Sequence, residues 1–477
     1  MLVRSLPLAL AVCAAVVLSG CAKTGMPLMG AANVSVGKFK AKSLHSTKNR
    51  FSKHELVVRM AAGAKPPIAG VKIKTTLGDR QVHTLPAGVT VEQAMAAYQA
   101  AGAVQTIERL ELFPVEEDTD PADVPVLKAP SPQLASNDPM LFQQWSHVVA
   151  NVPHAWELER GRGEVIVGVL DTGVDANHPD LKGTVIDGPD FAENKDSSPD
   201  IDEHGTHVAG IIAAHANNNL GVAGIAPNVK VLALKIFEPY FEDNQFQGTF
   251  YNAFTLARAI QYAVTQGGVK IINISAGIAD DEILGTMFSL ARGKGVIMCV
   301  SAGNNGNNVY TGGPKGLDGV IVSHATDPQD RLARFSNYGN TLAVSAPGLS
   351  ILSTVPTYAN PFTGEPGSKT GYASLSGTSM ASPFTAGVAA LVVSGLMDQT
   401  EAYFKSAYGK DIHLTPEDIP GTIVEDLIRS SCKDLGVPGR DEVFGCGRID
   451  AGRALENCYD SNWVERTAKE IQRNGRR

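Results

Sequence analysis

Residues 165–175 read "VIVGVLDTGVD". Val, Ile, Leu and Gly follow one another without polar alternation until Asp171. A strand with one face in water alternates; an unbroken apolar run is the pattern of a parallel strand covered on both faces. The pattern returns in "VKVLALKI" (229–236), "VKIINISAG" (269–277), "GVIMCVSAGN" (295–304) and "GVIVSHATD" (319–327). Helical stretches, "GTHVAGIIAAHA" (205–216) and "NAFTLARAIQYAVTQ" (252–266), lie between them. Strands alternating with helices specify an α/β fold with a doubly wound, mainly parallel sheet flanked by helices. Its functional site belongs at the carboxyl ends of the strands.

Three element ends carry reactive groups. Asp171 closes the first strand, His204 opens "HGTHVAG" (204–210), and Ser379 lies in "LSGTSMASPFTAG" (375–387). The helix that follows, "AGVAALVVSG" (386–395), is apolar on almost every face and therefore belongs in the interior. A buried helix holds a hydroxyl rigidly at its mouth and aims N–H groups toward developing negative charge. Pro383, near the first turn, is expected to cost little because early helical amides lack partners. Singly, each residue has a plain explanation as turn former, loop histidine or helix cap. Together, Asp, His and Ser in this order are one of the arrangements that build acyl-transfer geometry: a nucleophile, a base that takes and returns its proton, and a carboxylate that holds the imidazole.

The strings "DTG", "HGTHVAG" and "GTSMASP" resemble those of the subtilisin-like serine peptidases (subtilases), over roughly residues 137–457. The resemblance implies that Ser379 is the nucleophile, His204 the general base and Asp171 its orienting partner, with His207 structural. A metal-binding His204–His207 pair is the competing idea, but no Glu follows His204 and no third ligand is evident. "SAGNNG" (301–306) resembles the family stretch whose asparagine amide enters the oxyanion hole, which implies Asn304, joined by the Ser379 N–H. Ser275, Ala276 and Gly277 resemble the segment that pairs with substrate backbone and walls the pocket before the cut. Ile278 stands where the family usually has a second glycine, which bears on the width of that pocket. "HANNNLGVAG" (215–224) resembles a calcium loop. It implies a structural Ca2+ held by the side chains of Asp138, Asp180 and Asn218 and the carbonyls of Ala216, Leu220 and Val222. No organic cofactor is implied. The expected activity is serine endopeptidase action on protein or peptide substrates; the alternative is a catalytically idle subtilase fold that binds peptides at the cell surface.

The 477 residues are 43% hydrophobic and 19% charged, with net charge −8, enough for a large domain and a small one. Without a basic patch interleaved with aromatics, nucleic acid is not an expected partner. Residues 1–20 read as an export signal. "LSGC" resembles a bacterial lipobox, which makes Cys21 the lipidated mature N-terminus and places the precursor on the cell envelope. Residues 21–53 read as a tether. Residues 54–115 resemble the subtilase propeptide, an α+β ferredoxin-like unit that acts as an intramolecular inhibitor, although one helix is clear where that fold has two. Thr90 opens that helix in a capping box with Gln93. The acidic, proline-rich 116–136 is an exposed linker, and self-cleavage within it would free the enzyme from its anchor. Cys299 reads as a small buried hydrophobe; Cys432–Cys446 and Cys446–Cys458 are both open as disulfides. "FEPYFEDNQFQG" (237–248) is an acidic insertion near the non-primed subsites. A solvated loop is its plain reading, and a preference of Glu238, Glu242 and Asp243 for basic substrate residues is the alternative. Residues 458–477 read as a basic tail whose "ERTAKEIQRNGRR" (465–477) is a short helix candidate, solvated rather than an interaction site.

Overall fold

The computed structural model describes residues 50–115, 136–278, 281–308, 320–339, 344–365, 368 and 370–475. The export signal, Cys21 and nearly all of the linker lie outside them. An N-terminal unit contains β1 (Arg50–Met60), β2 (Lys72–Leu77), β3 (Arg80–Thr84), α1 (Val91–Ala100) and β4 (Val104–Pro114). Its strands lie in the order β2-β3-β1-β4 with every neighbour antiparallel, the arrangement of a ferredoxin-like sheet. Residues 61–71 form no helix: Pro66 and Pro67 lack amide donors, and Gly63 and Gly70 are left-handed at φ 73° and 86°. α1 alone covers the sheet, burying Val91, Ala94 and Tyr98 against Leu56 and Val58. Its Thr90–Gln93 capping box forms as expected. β1 begins at Arg50, upstream of the expected boundary at 54.

The catalytic unit opens with α2 (Trp145–Val149) and α3 (Val152–Leu158), then β5 (Ile166–Asp171), β6 (Val185–Asp190), α4 (His204–Ala213) and β7 (Lys230–Lys235). The hairpin β8 (Glu238–Glu242) and β9 (Gln245–Tyr251) follows. After it come α5 (Ala253–Thr265), β10 (Ile271–Ile274), α6 (Glu282–Gly293), β11 (Ile297–Ser301), β12 (Val320–Thr326) and β13 (Val344–Pro347). A small antiparallel pair, β14 (Ile351–Thr354) and β15 (Tyr372–Leu375), precedes α7 (Thr378–Tyr408), and α8 (Gly421–Ser431), α9 (Ala451–Cys458) and α10 (Ser461–Asn474) close the chain. The main sheet is parallel throughout, in the order β13-β12-β11-β10-β5-β7-β6. Val167 and Val169 of β5 face a core shared with α4 and α7, while Leu170 faces one shared with α5 and α6. Burial on both faces is the reason the strand sequences do not alternate.

α7 is long and apolar enough to cross a membrane by composition, with mean hydropathy 1.6, yet that apolar stretch is wholly buried in the protein. Left-handed Gly409 (φ 65°) ends it. Two expectations change. The acidic insertion is a hairpin, turned at left-handed Asp243 (φ 51°) and Asn244 (φ 60°) as a two-residue connection requires. The C-terminal tail is the amphipathic α10, whose Val464 and Ala468 are buried one turn apart and whose Trp463 and Ile471 pack against the main core. Cys299, Cys432, Cys446 and Cys458 are unbridged thiols, and burial pushes the pKa of each upward.

Candidate active site

β5 lies between β10 and β7, so the strand order reverses beside it and opens a crevice at the carboxyl ends of β5 and β10. Leu170 pairs with Ile274, which sets Asp171 and Ser275 at the same level on strands about 4.8 Å apart. His204, in the first turn of α4, places Nδ1 2.7 Å from Asp171 Oδ1, and both side chains are shielded from water. The Thr172 amide donates to the same oxygen at 2.7 Å. Gly205 is required there, because a Cβ would run into the Gly173 carbonyl.

A buried carboxylate that the sequence reading missed ties these elements together. Asp200 Oδ1 accepts from Thr172 Oγ1 at 2.8 Å, and its Oδ2 accepts from the Thr206 amide (2.9 Å) and Oγ1 (2.5 Å). Thr172 Oγ1 in turn accepts from the Gly205 amide at 2.9 Å. Asp200 therefore joins the end of β5 to the start of α4 across the Asp171–His204 contact. Burial raises its pKa to about 6. His207 faces away from a metal role: its Nε2 lies 2.9 Å from the Ile351 carbonyl, and burial lowers its pKa to about 3.

Ser379 Oγ donates to the Ser275 carbonyl at 3.4 Å, which brings the serine to the strand end beside Asp171. Pro383 lies beyond the unpartnered first amides of α7, so the expected reason for its low cost does not hold. Its missing N–H leaves the Ser379 carbonyl without a helical donor. The Ser275 hydroxyl supplies one at 2.8 Å and itself accepts from Asn273 Nδ2 at 2.9 Å. Asn304 Oδ1 accepts from the Thr378 amide (2.9 Å) and hydroxyl (2.8 Å), which fixes the orientation of its amide. A Cβ on Gly377 would sit 3.3 Å from Asn304 Nδ2 and 3.5 Å from the Ser379 amide nitrogen, so both donors border one small space. Ala276 O accepts from Ser301 Oγ at 3.2 Å, and Gly277 O accepts from the Tyr251 hydroxyl. Partly buried Ile278 packs against the α5–α6 core.

Of the expected cation ligands, Asp138, Asp180 and Asn218 lie together. The Asn218 amide nitrogens meet two carboxylates: its backbone N–H donates to Asp138 Oδ1 at 3.0 Å and its Nδ2 to Asp180 Oδ1 at 2.7 Å. Asp138 and Asp180 are buried, and among the described residues neither has an ion-pair partner. No group of three His, Cys, Asp or Glu able to hold a metal occurs among the described residues. The expected set contains only two carboxylates, the rest being an amide and the Ala216, Leu220 and Val222 carbonyls. Left-handed Asn217 (φ 65°) and Asn219 (φ 60°) wind this loop tightly.

Comparison with known proteins agrees with this geometry. The sequence profile of the subtilase family matches residues 162–447. A thermophilic serine proteinase of Bacillus sp. (strain AK1) is 43% identical over 242 residues, 50% of this chain and 55% of that enzyme. The chain thus spans about half the length of that relative. Thermitase of Thermoactinomyces vulgaris is 39% identical over 260 residues, 54% of this chain and 85% of thermitase. The crystal structure of fervidolysin from Fervidobacterium pennivorans, a keratinolytic enzyme related to subtilisin, superposes with a TM-score of 0.64 at 26% identity, covering 85% of this chain and 61% of fervidolysin.

Proposed function

Because the chain belongs to the subtilase family and is a serine endopeptidase, we propose that it cleaves proteins or peptides through Ser379, His204 and Asp171. His204 takes the Ser379 proton as the hydroxyl attacks the peptide carbonyl, then delivers it to the departing amine; the acyl-enzyme is hydrolysed by water activated at the same imidazole. Asp171 holds the imidazole tautomer and stabilises its charge. Asn304 Nδ2 and the Ser379 amide receive the oxyanion. Ser275, Ala276 and Gly277 pair with substrate backbone and wall the pocket before the cut. The observation that carries this reading is the shared level of Asp171 and Ser275 at the crevice, with His204 bonded to the first and Ser379 to the second.

The N-terminal unit is the inhibitor of this site. β4 lies along β9, with Phe113 opposite Tyr251, and the Val115 amide donates to the Thr249 carbonyl at 3.2 Å. Tyr251 in turn reaches Gly277. A strand seated there takes the place of substrate, and cleavage within residues 116–136 activates the enzyme. Asp138, Asp180 and Asn218, with the carbonyls of Ala216, Leu220 and Val222, would hold a structural calcium ion through oxygen donors. Two buried carboxylates without a cationic side chain, wound in a tight loop, support that assignment. Its contribution is to the rigidity of the fold. The protein acts outside the cytoplasm, attached as a precursor through lipid on Cys21.

Labelling by a serine-directed fluorophosphonate tests the reading. The mature enzyme is labelled and Ser379→Ala is not; absence of labelling in the unsubstituted enzyme leaves an idle, peptide-binding fold. Removal of calcium by chelator lowers the melting temperature, and an unchanged value would empty the proposed site.

A further inference from the structure

The β8–β9 hairpin carries two carboxylates whose recorded ion-pair partners, among the described residues, all come from the N-terminal unit. Glu238 meets Lys74 at 3.0 Å, and Glu242 meets Arg50 at 3.2 Å and Lys53 at 2.6 Å. Arg50 is held more specifically than the lysines. Its guanidinium carbon lies 5.3 Å from the centre of the Tyr240 ring and 5.6 Å from that of Phe250, and these rings meet edge to face at 5.3 Å. One carboxylate with two aromatic faces is a receptor for a planar, delocalised cation, which an ammonium fills less well.

Phe250 and Tyr240 pack partly against Val57, Val82, Leu110 and Leu112 of the N-terminal unit, but the hairpin that carries them also has braces outside that unit. Phe246 stacks on Phe362 of the catalytic unit at 5.3 Å and 18°, and Phe241 meets the same ring at 5.8 Å. The Thr249 hydroxyl donates to Asp202, two residues before His204, at 2.9 Å. When the N-terminal unit departs, Glu242 loses both recorded cations while the hairpin keeps these braces.

We propose that Glu242, Tyr240 and Phe250 form an arginine-binding exosite of the mature enzyme, filled by Arg50 in the uncut chain and by an arginine of a polypeptide substrate afterwards. The inference rests on the peptidase reading above. Its position follows from the strand register. Arg50 pairs with Leu112 of β4, one residue upstream of Phe113, where β4 meets β9. A substrate strand replacing β4 therefore presents its arginine near the Leu112 level, upstream of the cut and beyond the backbone-pairing segment.

The test uses enzyme matured from the full chain. Extended peptides carry one arginine walked through the upstream positions, with uncharged citrulline as the counterpart at each. At one or two positions, kcat/KM at low salt favours arginine by about tenfold, and Glu242→Gln or Tyr240→Ala brings that ratio to about one. A flat ratio at every position, or a preference that survives both substitutions, overturns the exosite. Fluorophosphonate labelling of the same samples separates the failures: labelled enzyme with a flat ratio loses only the exosite, whereas unlabelled enzyme loses the peptidase reading and this one with it.

Discussion

The crevice of the parallel sheet and the seam between β4 and β9 are both built from strand neighbours, but they are held differently. At the crevice, Asp171, His204, Ser275 and Ser379 are shielded from water, and their supports are hydrogen bonds inside a continuous apolar core. At the seam, β4 and β9 match at two residue pairs, Val57, Val82, Leu110 and Leu112 bury a small apolar cluster against Phe250 and Phe254, and ion pairs with partly exposed side chains flank it. Exposed and half-exposed ion pairs contribute about 0–1 kcal/mol each, whereas a buried Leu or Phe contributes about 1.5–3 kcal/mol. If the N-terminal unit is removed as proposed, the seam parts and the crevice stays.

The strongest challenge to this contrast is acid. His147 and His324 are lowered by burial to about 4 and His207 to about 3, all within the catalytic unit. Because the unfolded chain takes up protons near pH 6.5 and the folded chain does not, stability falls as pH drops from about 6.5 toward 4. The three together cost on the order of 5 kcal/mol between pH 7 and pH 5. Asp200, raised to about 6, opposes them, as do Glu159, Glu238 and Glu425, whose carboxyls burial also raises. Thermal melts across this range should show the catalytic unit failing in acid; a melting temperature flat to pH 4 would break the picture of a sealed neutral interior.

Next in size is the oxyanion space. Asn304→Leu should lower kcat by about 10²–10³-fold with KM little changed, the scale seen for the corresponding donor in subtilisin. Equal losses in kcat and KM would remove its role. Gly377→Ala places a methyl beside both donors, and about tenfold in kcat is expected from their displacement. Full activity would mean the donors do not share one space. The smallest effect belongs to the seam. Lys74→Gln should loosen the N-terminal unit by under about 1 kcal/mol, seen as faster appearance of fluorophosphonate labelling in freshly prepared full-length chain. High salt should reproduce it in the unsubstituted protein.

Much of the candidate site was readable from short strings because the proposed chemistry demands particular side chains at particular element ends. Asp171, His204, Ser379 and Asn304 stand in such strings. Asp200 did not stand out: four residues before His204, it is one acid among several, and only folding shows it meeting Thr172. The Ser275 hydroxyl escaped notice for a similar reason. Its task, to satisfy the carbonyl that Pro383 leaves unpaired, exists only once α7 lies across the end of β10. The insertion was misjudged as a loop because β8 and β9 are short and mix acidic, aromatic and glycine residues without regular alternation, and the pairing of β9 with β4, more than a hundred residues earlier, leaves no local signal. The helix of α10 was legible, but its packing on the core was not, because its apolar stripe is narrow.

What the linear chain determined by itself was the layered parallel architecture and the candidates for the reacting groups. Unbroken apolar runs and reactive residues at strand and helix ends are local properties, legible wherever they occur. Only the tertiary structure decided the crevice between β5 and β10, the clamp at Asp200 and the place of Arg50 between Glu242, Tyr240 and Phe250. Each depends on a register between distant strands, and register is chosen by how whole faces bury together, a quantity that no single segment contains.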